Sequence, residues 1–237
     1  KNEKKEKKEK KMAYQVWKNN LIFAALSCDK TKSANPKTGD MAQLAVLPLH
    51  NLPTDSIKNK TDHLQCGTCP LSASAGKGGK NTCYVNVIYQ NAVWKSAKKH
   101  GLKEIPVLKK PLRLGSYGDP GFIPLDTLDD LTEKSQGHTG YTHQWKDIDN
   151  GYSRHLMASI DPFGPTRAEA KALGYRTYRI LADGEALEKG EALCPNVTHG
   201  TTCAKCGLCS GTKGKGKIDI AIPVHGTPSL VKVFDKA

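Results

Sequence analysis

The chain has 237 residues and is 38% hydrophobic, enough for one large domain or two small ones with a real core, which excludes a fully disordered chain. No run approaches the ~18–20 apolar residues of a membrane helix, and no period of ~20–50 residues recurs, so an integral helical membrane protein and a solenoid are excluded. Formal net charge is +13, and residues 1–11, with seven Lys against three Glu, carry +4 of it.

Residues 1–11 contain no apolar side chain and are expected to form a disordered Lys/Glu tail. Residues 12–237 are expected to fold as a single α/β domain. Leu21–Leu26 is the one apolar run near the start. It is shorter than the ~7–15 residues of a secretory core, and Cys28 behind it only faintly suggests a lipoprotein site. The cytoplasm is therefore the expected compartment, where eight cysteines point to metal ligands or catalytic groups rather than disulfides.

Met41–Pro48 reads as a strand and residues 85–99 as a helix, with charge gathering at its Lys-rich end. Leu112–Ser116 is a strand. Pro124 opens a helix that places Leu125, Leu128 and Leu131 at helical spacing. Gly140–Gln144 and His155–Ile160 are strand candidates. Thr166 and Glu169 form a capping-box pair at the start of a helix that stops at Gly174. Thr177–Leu181 and Ile218–Pro223 complete the series. Strands and helices alternating at this spacing predict parallel βα units, best fitted by a partial or full parallel βα barrel, with an open doubly wound sheet as the rival.

In such folds the reactive face lies at the carboxyl ends of the strands. Four polar clusters fall there: Ser116–Pro120, Thr142–Trp145, Ser159–Asp161 and Pro223–Gly226. Asp119, His143 and Asp161 are the expected catalytic residues, and Tyr117, Gly118, Gln144 and His225 the expected cofactor-binding ones. His143 suits a general base or ligand because imidazole titrates nearest neutrality. Arg113 and Arg179 lie within strands, so each requires an acidic partner, a ligand anion or a wet strand face.

Seven cysteines form two groups, Cys66-x2-Cys69-x13-Cys83 and Cys194-x8-Cys203-x2-Cys206-x2-Cys209, the latter in a cysteine-rich metal-binding segment at 190–216. A two-residue gap lets two thiolates of one turn face a single metal, and thiolates select zinc, iron–sulfur or copper(I). The second group is a complete four-thiolate set. Its successive two-residue steps resemble an iron–sulfur run, with zinc as the alternative. The first group has three thiolates. Cys28 or His63 could complete it, or one position of a [4Fe–4S] cluster stays open for a small molecule. Gly76–Lys80 lacks the spacing of a phosphate-binding loop. Serine-hydrolase elbows, His-Glu-x-x-His pairs and the Rossmann glycine fingerprint are absent.

Arg113-Leu-Gly-Ser-Tyr-Gly-Asp-Pro120, Thr139-Gly-Tyr-Thr-His-Gln-Trp145, Leu156-Met-Ala-Ser159, Cys66-Gly-Thr-Cys-Pro70 and the Thr202–Cys209 run resemble a group of uncharacterised cysteine-rich proteins of phages and bacteria, over about residues 37–226. That resemblance places the chain in a bacterial host. More remotely, three early cysteines ahead of a βα series and a later cysteine cluster are similar to radical S-adenosylmethionine enzymes. Their cysteine gaps are three and two residues, against two and thirteen here. The similarity implies a partial βα barrel, a [4Fe–4S] cluster on Cys66, Cys69 and Cys83, S-adenosylmethionine on its free iron, and an unidentified small-molecule or macromolecular substrate. The alternative is a non-enzymatic zinc protein that binds nucleic acid through its basic charge in phage replication or host takeover. A weaker third reading is a hydrolase using a hard metal with the rim His and Asp.

Overall fold

The computed structural model describes residues 12–27, 35–75, 82–162, 164–226, 228 and 231–232. The expected tail at 1–11, Cys28 and the Gly76–Lys80 loop lie outside the described residues. The chain begins with an antiparallel hairpin, β1 (Ala13–Lys18) and β2 (Ile22–Ser27), and β2 pairs antiparallel with β3 (Ala42–Pro48). Short helices α1 (Pro53–Lys58) and α2 (His63–Cys66) precede the longer α3 (Val87–His100). Then come β4 (Leu112–Arg113), α4 (Leu125–Glu133), β5 (His138–Thr139), β6 (Tyr141–Thr142), β7 (Met157–Ile160), α5 (Arg167–Ala172) and β8 (Thr177–Leu181). The end holds β9 (Glu191–Leu193), α6 (Pro195–His199), α7 (Cys203–Cys206) and β10 (Asp219–Pro223).

Hydrogen bonding divides the strands into two sheets, ordered β1-β2-β3-β4-β5 and β6-β7-β8-β10-β9. They meet at Gly140, the one residue between β5 and β6. Its carbonyl accepts from Met157, while its amide turns out of the ladder to the carbonyl of Cys209. From β3 onward every pairing is parallel. The fold is therefore mixed α/β with parallel sheets. Among the described residues no hydrogen bond joins β1 to β9, the two outer strands.

Two-residue alternation explains why the hairpin side buries both faces. Ala24, Leu26, Leu44 and Val46 face one way, with Leu112, Leu128 and Leu131. Phe23, Ala25, Ala45 and Leu47 face the other, against Ala97 of α3. A strand covered on both sides reads as one apolar run. The Leu21–Leu26 stretch is thus largely a buried sheet strand, β2. Thr166 and Glu169 form the expected capping box at α5. No helix among the described residues is long and apolar enough to cross a membrane.

Beside α4, Asp129 accepts from His155 Nε2 at 2.6 Å and pairs with Arg154, while His138 Nε2 meets the His155 carbonyl at 3.1 Å. Burial first, and His155 second, push the His138 pKa down to about 4 from its ordinary 6.5. The unfolded chain then takes up this proton before the folded one does. Stability from this residue is complete above pH 6.5 and falls as pH drops toward 4, by about 2 kcal/mol at pH 5. Urea unfolding at pH 7 and pH 5 should show that loss, and the same comparison in His138→Gln should be flatter.

Candidate functional site

The first cysteine group is built by the loop that follows β3. Cys66 closes α2, Gly67 turns the chain at φ +58°, and the Cys69 amide donates to the Cys66 carbonyl at 3.2 Å. The Asp62 carboxylate fixes this loop by accepting from the Ala73 and Ser74 amides at 2.7 and 2.9 Å. Cys66, Cys69 and Cys83 are half-buried and unbridged. Burial pushes all three thiols up. Cys66 is raised further by Cys69, Cys83, Asp62 and Asp119, and Cys69 by Cys83, Asp119 and Asp161. The three sulfurs are therefore electrostatic neighbours in an acidic setting. They cannot all ionise unless a cation shares the space. As arranged in this structure, no three His, Cys, Asp or Glu side chains among the described residues form a set that could hold a metal ion.

The second group lies between β9 and β10. Cys194 precedes α6, and α7 runs from Cys203 to Cys206. The Cys203 and Ala204 amides bond the Lys37 and Thr38 carbonyls, and Arg176 ties down the far side through the carbonyls of Leu208 at 2.8 Å and Gly211 at 3.0 Å. Burial raises the Cys203 and Cys209 thiols. Cys194 and Cys206 raise both further, and Arg113 opposes the rise at Cys203. All four sulfurs are free of disulfides.

Asp119 organises the rim. Its Oδ1 accepts from Gly121 N at 2.8 Å and Thr142 Oγ1 at 2.5 Å, and its Oδ2 accepts from His143 N at 2.7 Å and Gln144 Nε2 at 3.3 Å. Gln144 Nε2 also donates to the Cys66 carbonyl, and its Oε1 accepts from Thr68. The cysteine loop is thereby fastened to the strand-end loops. The packing leaves no room for a β-carbon at Gly67, 2.4 Å from the Gln144 amide, or at Gly118, 2.4 Å from the Val46 carbonyl, and both have positive φ. Gly118 and Gln144 thus hold loops together in this structure.

The four strand-end clusters open on one cavity of about 1080 Å³, mouth included. Its wall contains Cys66, Cys69 and Cys83 with Tyr117, Gly118, Asp119, His143 and His225. Gln144, Asp161 and the second cysteine group stand outside the lining. Asp161 nevertheless lies 3.7 Å from His143 Nε2, and Asp119 lies 4.0 Å from His143 Nδ1. Among the described residues His143 Nε2 is buried without a hydrogen-bond partner. The three expected catalytic residues therefore meet, with the imidazole between two carboxylates. Burial pushes the His225 pKa down, and that of buried Tyr117 up.

The sheet supplies the floor through alternate positions: Arg113 of β4, Tyr141 of β6, Ser159 of β7, Tyr178 and Ile180 of β8, and Ile222 of β10. Tyr141 and Tyr178 stack with ring centroids 4.5 Å apart, and the Tyr84 and Tyr141 hydroxyls are 3.3 Å apart. Sequence reasoning missed this tyrosine group. Its signal was the two-residue alternation that places Tyr141 and Tyr178 on one face, and the adjacency of Tyr84 to Cys83. Arg179, on the opposite face, finds its partner in Glu191.

No family model matches the chain, and neither a curated protein nor a solved structure matches it.

Proposed function

We propose that the chain is an iron–sulfur enzyme, a divergent relative of the radical S-adenosylmethionine type, whose reaction takes place in the cavity beneath Cys66, Cys69 and Cys83. The observation that carries this reading is the union, in one cavity wall, of a three-thiol group with Asp119 and His143, whose ring is backed by Asp161 from outside the lining. Three thiols suit a [4Fe–4S] cluster that leaves one iron free. The parallel strands follow one another in chain order from β3 to β8, which supports reading the sheet as a partial βα barrel. Cys194, Cys203, Cys206 and Cys209 would supply four thiolates to a second cluster, or to zinc, once drawn together around it.

When bound, the three-cysteine cluster with S-adenosylmethionine supplies one-electron chemistry. The rest falls to the chain. Asp119 holds the His143 backbone, and Nε2, 3.7 Å from Asp161 and without a hydrogen bond among the described residues, is the ring atom free to take or give a proton. Leu71, Ile180, Ile222 and Val224 line the cavity with aliphatic surface that limits water.

Anaerobically purified protein should be brown, with iron and acid-labile sulfide in equal amounts. Joint Ser replacement of Cys66, Cys69 and Cys83 should remove about four iron and four sulfide per chain while leaving the second site loaded. Colourless protein containing zinc and no sulfide would discard this reading. If that protein also bound DNA or RNA with a steep salt dependence, the zinc nucleic-acid reading would take its place.

A further inference from the structure

The cavity wall carries two chemically different groups of residues. The Cys66 pKa is raised by the charges of Asp62 and Asp119, and that of Cys69 by those of Asp119 and Asp161, while Asp119 itself lines the cavity. Among the described residues Arg113 is the sole Lys or Arg in the lining, and it has Tyr141, Tyr84 and Cys203 as its ionisable neighbours. Arg113 forms no ion pair with a carboxylate among the described residues, whereas Arg179 on the opposite sheet face has Glu191 and Glu185. The same wall also presents an aromatic and aliphatic surface, including the Tyr141–Tyr178 stack and the Ile180 and Ile222 side chains.

A guanidinium in an apolar wall is favourable only with an anion or with hydrogen-bond acceptors beside it. Its planar fork matches a carboxylate in two parallel hydrogen bonds, and the Tyr141 hydroxyl beside it can add a third donor. A dianion fits poorly, because Arg113 alone among the described Lys and Arg residues lines a cavity that also holds Asp119. The stacked rings and aliphatic side chains suit a flat or apolar body.

We propose that the cavity binds a small organic monocarboxylate with an aromatic or aliphatic body, its carboxylate seated on Arg113 and its far end directed toward His143 and the three cysteines. This assigns a substrate class to the site described above. As a substrate assignment it rests on the enzymatic reading, whereas the binding itself does not.

The test uses the full chain, purified anaerobically, and three matched acid and amide pairs: benzoate with benzamide, indole-3-acetate with indole-3-acetamide, and octanoate with octanamide. Calorimetric or ligand-observed NMR titration should show at least one acid binding tenfold or more tighter than its amide. Arg113→Gln should abolish that preference without changing metal or sulfide content, and Arg113→Lys should keep part of it. The proposal is overturned if no acid outranks its amide, a comparison that needs only the native protein. It is also overturned if the preference survives Arg113→Gln, or if Arg113→Gln strips metal from the four-cysteine group, which would make Arg113 a counter-ion to those thiolates. Native protein that is colourless but prefers the acid would sink the iron–sulfur reading and leave this one standing. Brown protein with no preference would do the reverse.

Discussion

Asp119→Ala should lower the unfolding free energy by roughly 3–5 kcal/mol, since each buried donor left without a partner costs about 1–3 kcal/mol and neighbouring losses do not add fully. The carboxylate accepts four hydrogen bonds, two of them from the backbone amides of Gly121 and His143. It is only 5% exposed, so water cannot readily take its place. Asp119→Asn keeps the shape but offers one acceptor oxygen in place of two, and should lose about half as much. Urea unfolding measures both. The damage should reach function as well, because Asp119 and the Cys66 carbonyl are bridged by Gln144. Metal retained by the first cysteine group should fall in parallel with stability. A loss below about 1 kcal/mol in Asp119→Ala would show that the rim does not depend on this carboxylate.

The second large effect lies on the opposite face of the sheet. Glu191 is fully buried, bonds Arg179 Nε at 2.8 Å and its terminal nitrogen at 2.5 Å, and lies 3.7 Å from Arg167. Burial alone would raise the Glu191 pKa, but the Arg179 hydrogen bonds, with help from the Glu188 amide, hold it below its ordinary value. Glu191→Ala leaves two cations short of a partner and should cost about 3–5 kcal/mol. Removing both members of the pair should be milder. Glu191→Leu with Arg179→Met should recover most of the loss, because matched apolar side chains avoid the penalty of burying a charge alone. Thermal unfolding of the single and double variants separates these outcomes. Equal losses in the two would show that the pair contributes through shape rather than charge.

Much of the architecture was legible where periodicity and caps were strong. Met41–Pro48 and Thr177–Leu181 match β3 and β8 to within one residue, and α5 starts at its capping box. Two elements came out differently for physical reasons. The expected Gly140–Gln144 strand shrinks to Tyr141–Thr142 and is parted from β5, because the Gly140 amide is spent on the Cys209 carbonyl, a partner some seventy residues away that no local pattern reveals. The 112–116 strand ends at Arg113, because Gly115 and Gly118 at positive φ turn the chain into the rim. The hairpin of β1 and β2 was missed. An antiparallel pair at the edge of a parallel sheet obeys no βα spacing, and the Leu21–Leu26 run was weighed only as a leader. At the site, strand-end placement was enough to bring Asp119, His143 and Asp161 together. Bonding of the Gln144 side chain to Asp119 and the Cys66 loop was not legible, because it depends on side-chain direction across a long sequence separation.

The order of the last strands has a consequence for how the polypeptide is assembled. Among the described residues β9 pairs only with β10, yet β10 is made later and must enter between β8 and β9. On the ribosome, Glu191–Leu193 is therefore made, and leaves the exit tunnel, ahead of its neighbour. The stretch translated in that interval is the one that carries Cys194, Cys203, Cys206 and Cys209. A metal captured there would draw the connection short before the final strand is threaded, reducing the entropy lost on closing it. The same thiols would then serve during biogenesis as a clasp that sets up the insertion of β10.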